Sequence, residues 1–134
     1  MYKIMALDVG TKRIGIALSD YLLVLANGHS YIKRQPEKSA IEQIKKNAKE
    51  NNVKKIVVGL PYNMDGTRGA QAQDCIEFAK NFQEFEVIFE DERLTSNEAE
   101  ENLRSRKVNF LKDKGLVDVE SAKIILEQHL VSIK

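Results

Sequence analysis

The chain has 134 residues, 43% of them hydrophobic and 31% charged, with a formal net charge of +1. That is the size of one domain, expected to span residues 1–134, and it excludes a disordered or low-complexity chain. A near-neutral chain cannot hold a polyanion by global charge, so an anionic partner would have to meet a local basic patch. Residues 2–8, 13–18 and 22–26 are short apolar or alternating runs, parted by Gly10-Thr11-Lys12 and Ser19-Asp20, and are predicted as consecutive strands, with a weaker strand signal at 30–33. Pro36 stands where a helix can start, and Ile41, Ile44 and Ala48 recur at helical spacing until Asn51-Asn52. Residues 55–59 are predicted as a buried strand, followed by a turn-rich loop, Leu60 to Gly66.

A second helix is predicted with Ala72, Cys75, Ile76, Ala79 and Phe82 on one face, then a strand at 87–91. Thr95-Ser96-Asn97-Glu98 has the form of a capping box and predicts a third helix. A last helix is expected from about Val119, with Ala122, Ile125, Leu126 and Leu130 inward. The order β-β-β-α-β-α-β-α-α predicts an α/β fold: a mixed five-stranded sheet, three antiparallel N-terminal strands followed by parallel ones, with helices on its faces. Cys75 is the only cysteine, which excludes a disulfide framework and a cysteine metal site. The N-terminus lacks a basic region before a long apolar stretch, and no run reaches about 18 apolar residues, so a cytoplasmic location without membrane contact is expected.

Three acids stand at element ends. Asp8 closes the apolar run Ile4-Met5-Ala6-Leu7, Glu92 follows the strand at 87–91, and Asp118 opens the last apolar-periodic segment. Asp91 competes with Glu92, because a shift of one residue reverses which side chain faces a site. In sheets of this kind ligands meet the carboxyl ends of parallel strands, where Asp8, the loop after Gly59 and Glu92 would all be delivered. Two carboxylates at about 4 Å repel by roughly 4 kcal/mol at an effective dielectric near 20, so a cluster stays ionised only around a cation. Hard oxygen donors select Mg²⁺ or Mn²⁺, and His29 and His129 lack metal-ligand spacing. A carboxylate cluster holding such ions suits in-line attack of water on a phosphodiester. The plainer roles are an aspartate turn at Asp8, a solvated Glu92 paired with Arg93, and a helix N-cap at Asp118.

Four ordered blocks carry a resemblance: Asp8-Val9-Gly10-Thr11-Lys12-Arg13-Ile14-Gly15 through Ser19-Asp20; Gly59-Leu60-Pro61 through Asp65-Gly66-Thr67; Asp91-Glu92-Arg93-Leu94-Thr95; and Val117-Asp118 with Ala122 and Ile125-Leu126. Together they resemble the YqgF family across nearly the whole chain. The resemblance implies an RNase H-like fold related to the junction resolvase RuvC, and a nuclease that either matures the 5′ end of precursor small-subunit ribosomal RNA or resolves Holliday junctions. It implies Asp8, Glu92 and Asp118 as catalytic metal ligands for Mg²⁺ or Mn²⁺. The chain departs from the family at Ala26-Asn27-Gly28-His29, where a proline is usual, and at Ser121-Ala122, where paired alanines are common.

Thr11, Lys12 and Arg13 lie beside the proposed metal site, where amides and cations could hold a phosphate; solvated loop charges are the alternative. Asn63, Asp65, Thr67 and Arg68 follow a strand's carboxyl end, and Arg93 follows Glu92. Residues 104–114 hold five cations against Asp113 alone, a balance of +4 suited to nucleic-acid backbone. With aromatic content of 7% and no tryptophan, a base-stacking platform is not expected. The expected partner is nucleic acid, precursor ribosomal RNA or branched DNA, met by a monomer or weak homodimer. Two other classes compete. Asp8-Val9-Gly10-Thr11 also resembles the first phosphate loop of actin-like ATPases and sugar kinases, but no second Asp-x-Gly-Thr segment follows. A non-catalytic nucleic-acid-binding protein of the same fold would share every motif, although keeping all three acids argues against it.

Overall fold

The structure, a computed structural model, describes residues 1–61, 69–91 and 114–133. Five strands, β1 (Lys3–Val9), β2 (Arg13–Ser19), β3 (Ala26–Lys33), β4 (Val53–Leu60) and β5 (Glu86–Asp91), form one sheet in the order β3-β2-β1-β4-β5. The β1/β2 and β2/β3 pairs are antiparallel, and the β1/β4 and β4/β5 pairs are parallel. Helices α1 (Glu37–Glu50), α2 (Ala70–Ala79) and α3 (Gly115–Ser132), with a short 3-10 turn at Lys80–Phe82 after α2, are the other described elements. The predicted five-stranded mixed sheet is present. The predicted third helix from Thr95 lies outside the described residues. No helix among them is long and apolar enough to cross a membrane.

The central strand β1 is covered on both faces, which is why its sequence is a continuous apolar run rather than an alternating one. Met5, Leu7 and Val9 join Ile14, Ile16, Ile56 and Val58 against Ile44, Ala48, Cys75 and Phe78 of α1 and α2. Ile4 and Ala6 join Ala17 and Val57 on the other face, against Ala122, Ile125, Leu126 and Leu130 of α3. By the same alternation Asp8 belongs to the α3 face.

The third strand differs from expectation: residues 22–25 of the predicted run 22–26 are turn and loop, and the weaker signal around 30–33 belongs to the real strand, Ala26–Lys33. Asp20 explains the shift. Its carboxylate accepts hydrogen bonds from the amides of Val24 (2.8 Å) and Leu25 (3.1 Å), a local closure that competes with strand pairing. These amide bonds hold the Asp20 carboxyl below its ordinary range. Leu23 adopts φ 57°, and Leu22, Val24 and Leu25 are left exposed. The last helix also starts earlier than about Val119. It begins at Gly115 with Lys114 as the N-cap, so Asp118 lies in its first turn and is not its cap.

Candidate active site

The carboxyl ends of the parallel strands β1, β4 and β5 share one edge of the sheet, and Asp8 is the penultimate residue of β1. Its ladder partner on β2 is Gly15. A Cβ on Gly15 would collide with the backbone carbonyl of Asp118, and would sit 3.0 Å from the amide nitrogen of Val119. The glycine therefore lets α3 rest its backbone on the sheet directly opposite Asp8. Gly28 and Gly115 serve the same approach, the first beneath Val119 and the second beneath the Tyr31 ring. Two acids 110 positions apart in the chain are thus brought to one end of one sheet face.

Both carboxylates are only partly buried. The Nε of Arg13 donates to Oδ2 of Asp118 at 2.8 Å, with the side chains 30% and 20% exposed. At that exposure the pair contributes about 1 kcal/mol at most. The turn reading of Asp8 loses one donor, because the Gly10 amide donates to the carbonyl of Arg13 (2.9 Å). Asp91, in register with the core residue Leu60, falls by strand alternation on the face opposite Asp8 and is exposed. Ile88 and Glu90 alternate onto the Asp8 face, where Glu90 Oε1 meets Nδ1 of the buried His129 at 3.0 Å.

Glu92, Arg93, Asn63, Asp65, Thr67 and Arg68 lie outside the described residues, as does all of the basic segment except Lys114. Among the described residues no cluster of three metal-ligating side chains is present. Asp8 and Asp118 offer carboxylate oxygens, the donor type that suits Mg²⁺ or Mn²⁺. Thr11 and Lys12 are exposed on the β1–β2 loop, and Arg13 begins β2.

The sequence reading missed what anchors that loop. Arg34 is 6% exposed and donates through Nη1 to the carbonyl of Gly10 (3.0 Å), while Nη1 and Nη2 grip Asp74 of α2 at 2.6 and 2.8 Å. Its guanidinium lies 5.1 Å from the centre of the Phe78 ring, and its amide donates to Lys12. The hydrogen bonds from Arg34 hold the Asp74 carboxyl below its usual range, and those same bonds raise the Arg34 guanidinium. A buried fork of this kind fixes the loop after Asp8 to the opposite helix layer. Its only signal in the sequence is a cation just before a proline turn, which does not reveal its partner.

The RuvX family model, described as Holliday junction resolvase, matches residues 2–132. A protein of Crocosphaera subtropica named "Putative pre-16S rRNA nuclease" is 45% identical over 129 residues, covering 94% of this chain and 90% of its own. One of Clostridioides difficile with the same name is 43% identical, covering 96% and 93%. Among solved structures, the Fowlpox virus resolvase with Holliday junction DNA superposes with a TM-score of 0.62 at 13% identity, over 98% of both chains. RuvC of T. thermophilus in complex with a Holliday junction substrate gives 0.59 at 12% identity, over 98% and 95%. Those identities speak for the fold alone, which is RNase H-like, while the family match and the close relatives speak for descent. By both, the chain belongs to the RuvX (YqgF) family.

Proposed function

We propose that the chain is a divalent-metal-dependent nuclease that hydrolyses phosphodiester bonds in structured nucleic acid, and that its substrate is the 5′ extension of precursor small-subunit ribosomal RNA. The observation that supports the reading is the approach of α3 onto Gly15, with the Asp118 backbone against the residue that pairs with Asp8 near the carboxyl end of the central strand. Close relatives named as pre-16S rRNA nucleases support the choice of RNA. Asp8, Glu92 and Asp118 would hold Mg²⁺ or Mn²⁺. The ion, when bound, supplies Lewis acidity to the phosphate and acidifies water.

The chain's own residues do the rest. Arg13 guards the Asp118 carboxylate until a cation takes its place, and Lys12, Arg13 or Arg93 then steadies charge on the phosphate. Thr11, Asn63 and Arg68 contact the nucleic-acid strand in this reading. The work is done by one domain, a monomer or weak homodimer in the cytoplasm. The family description and the resolvase neighbours support a second reading, in which a four-way DNA junction is cut.

The deciding experiment offers a 5′-extended precursor RNA and a four-way DNA junction side by side with Mg²⁺ or Mn²⁺. Cleavage of the RNA alone supports the proposal. Paired symmetric cuts in the junction transfer it to the resolvase reading and require a dimer, since two sites must face two-fold-related phosphates. Binding without cutting of either would make the chain a non-catalytic nucleic-acid-binding protein.

A further inference from the structure

Beside the carboxylates lies a cavity of about 390 Å³ lined by Thr11, Lys12, Arg13, Tyr31, Lys33 and Gln35. Tyr31, Lys33 and Gln35 come from β3 and the turn after it, and no motif singles them out. The register explains how they meet the site. Arg13 stands directly opposite Lys33, and Gly15 directly opposite Tyr31, so both β3 side chains share the face that carries Asp8. Like charges placed directly opposite one another on a sheet destabilise it. Asp118 answers Arg13, but among the described residues neither Lys33 nor Lys12 has a carboxylate partner. Lys12 and Lys33, the two lining cations that no described carboxylate answers, form a seat for an anion.

The aromatic in that seat is held in place. The Tyr31 ring covers Gly115 at the start of α3 so closely that a Cβ there would enter the ring, while the residue as a whole remains 38% exposed. A fixed, half-exposed ring next to an anion seat is the pairing that nucleic-acid-binding surfaces use for a base and its phosphate.

We propose that this cavity binds the nucleotide next to the scissile phosphate, with its base stacked on Tyr31 and its phosphate held by Lys33 and Lys12. The inference rests on the nuclease reading and names a substrate contact of that same site. The stacking is sequence-tolerant, because every base presents a π-face, whereas the cations read charge alone.

The test is equilibrium binding of a labelled 5′-extended precursor RNA, and of DNA of the same sequence, in EDTA so that nothing is cut. Tyr31→Ala should weaken binding about ten-fold or more, and Tyr31→Phe should restore it, because the ring rather than the hydroxyl carries the contact. Lys33→Ala should lower the slope of log Kd against log salt by roughly 0.7 to 0.9. Thermal melting of each variant reports whether it folds. Folded Tyr31→Ala with wild-type affinity, Tyr31→Phe as weak as Tyr31→Ala, or an unchanged salt slope in Lys33→Ala would overturn the subsite. None of those results touches the nuclease reading, which stands or falls on metal-dependent cleavage by the wild-type chain.

Discussion

Gly15→Ala probes the contact on which the site is built. The added methyl group would meet the carbonyl of Asp118 and the amide of Val119, both backbone atoms of an 18-residue helix that is anchored in the core by Ile125, Leu126 and Leu130. No rotamer change can relieve such a clash, so α3 must lift or β2 must retreat. Overpacking of this kind costs about 1–3 kcal/mol, and a backbone obstacle puts it near the upper end. For a domain of this length that is a fall in Tm on the order of 10 °C. A displacement of about 1 Å between Asp8 and Asp118 would also cost roughly 100-fold in kcat. Gly28→Ala is the internal comparison: there the obstacle is a Val119 methyl group at 2.7 Å, which can turn aside, so about 1 kcal/mol is expected. Thermal melting and single-turnover cleavage read both effects. A Gly15→Ala protein with wild-type Tm and rate would refute the close approach, as would a larger loss in Gly28→Ala.

Arg34→Met should cost about 2–3 kcal/mol, because it strands the Gly10 carbonyl and leaves Asp74 without its partner; the figure is reduced because Asp74 is 41% exposed. Since the folded Asp74 carboxyl is held below its unfolded value, the pair's contribution is present above about pH 4 and is lost as pH falls through the folded pKa; urea midpoints measured across pH 2–6 should show a steeper acid loss in wild type than in Arg34→Met. Arg13→Gln removes one cation from beside the Asp118 carboxylate, so calorimetry should find Mn²⁺ bound a few-fold more tightly while RNA binds more weakly; unchanged Mn²⁺ affinity would count against Asp118 as a metal ligand. Ser121 buries a hydroxyl with no hydrogen-bond partner among the described residues, so Ser121→Ala should be neutral or stabilising by about 1 kcal/mol in chemical denaturation.

The sheet was legible because its strands carry their burial in their composition: Ile4 to Leu7 of β1 and Ile56 to Val58 of β4 are continuous apolar runs, and Asp8 stands out against the first. Asp8 could be found for the same reason. The third strand was obscured because Leu22, Val24 and Leu25 look like core but are exposed beside a turn that Asp20 closes, while Asn27, Gly28 and Ser30 look like a loop but pair with β2. Asp118 could be read as a helix cap because it opens the apolar-periodic segment and aspartate is a favoured N-cap, whereas the helix begins three residues earlier at Gly115, which packs against the Tyr31 ring. Partnerships over long separations, such as Arg34 with Asp74 and Arg13 with Lys33, depend on register, and a single sequence does not display register.

The most direct test of the account is metal-dependent cleavage by Asp8→Asn, which keeps the size of the side chain and removes its charge. With saturating Mg²⁺ or Mn²⁺ and the 5′-extended precursor RNA, the account predicts a variant that melts like wild type, still binds RNA, and has lost cleavage by a factor of roughly 100 or more. Wild-type cleavage by a pure, folded Asp8→Asn protein would contradict it and remove Asp8 from the metal site.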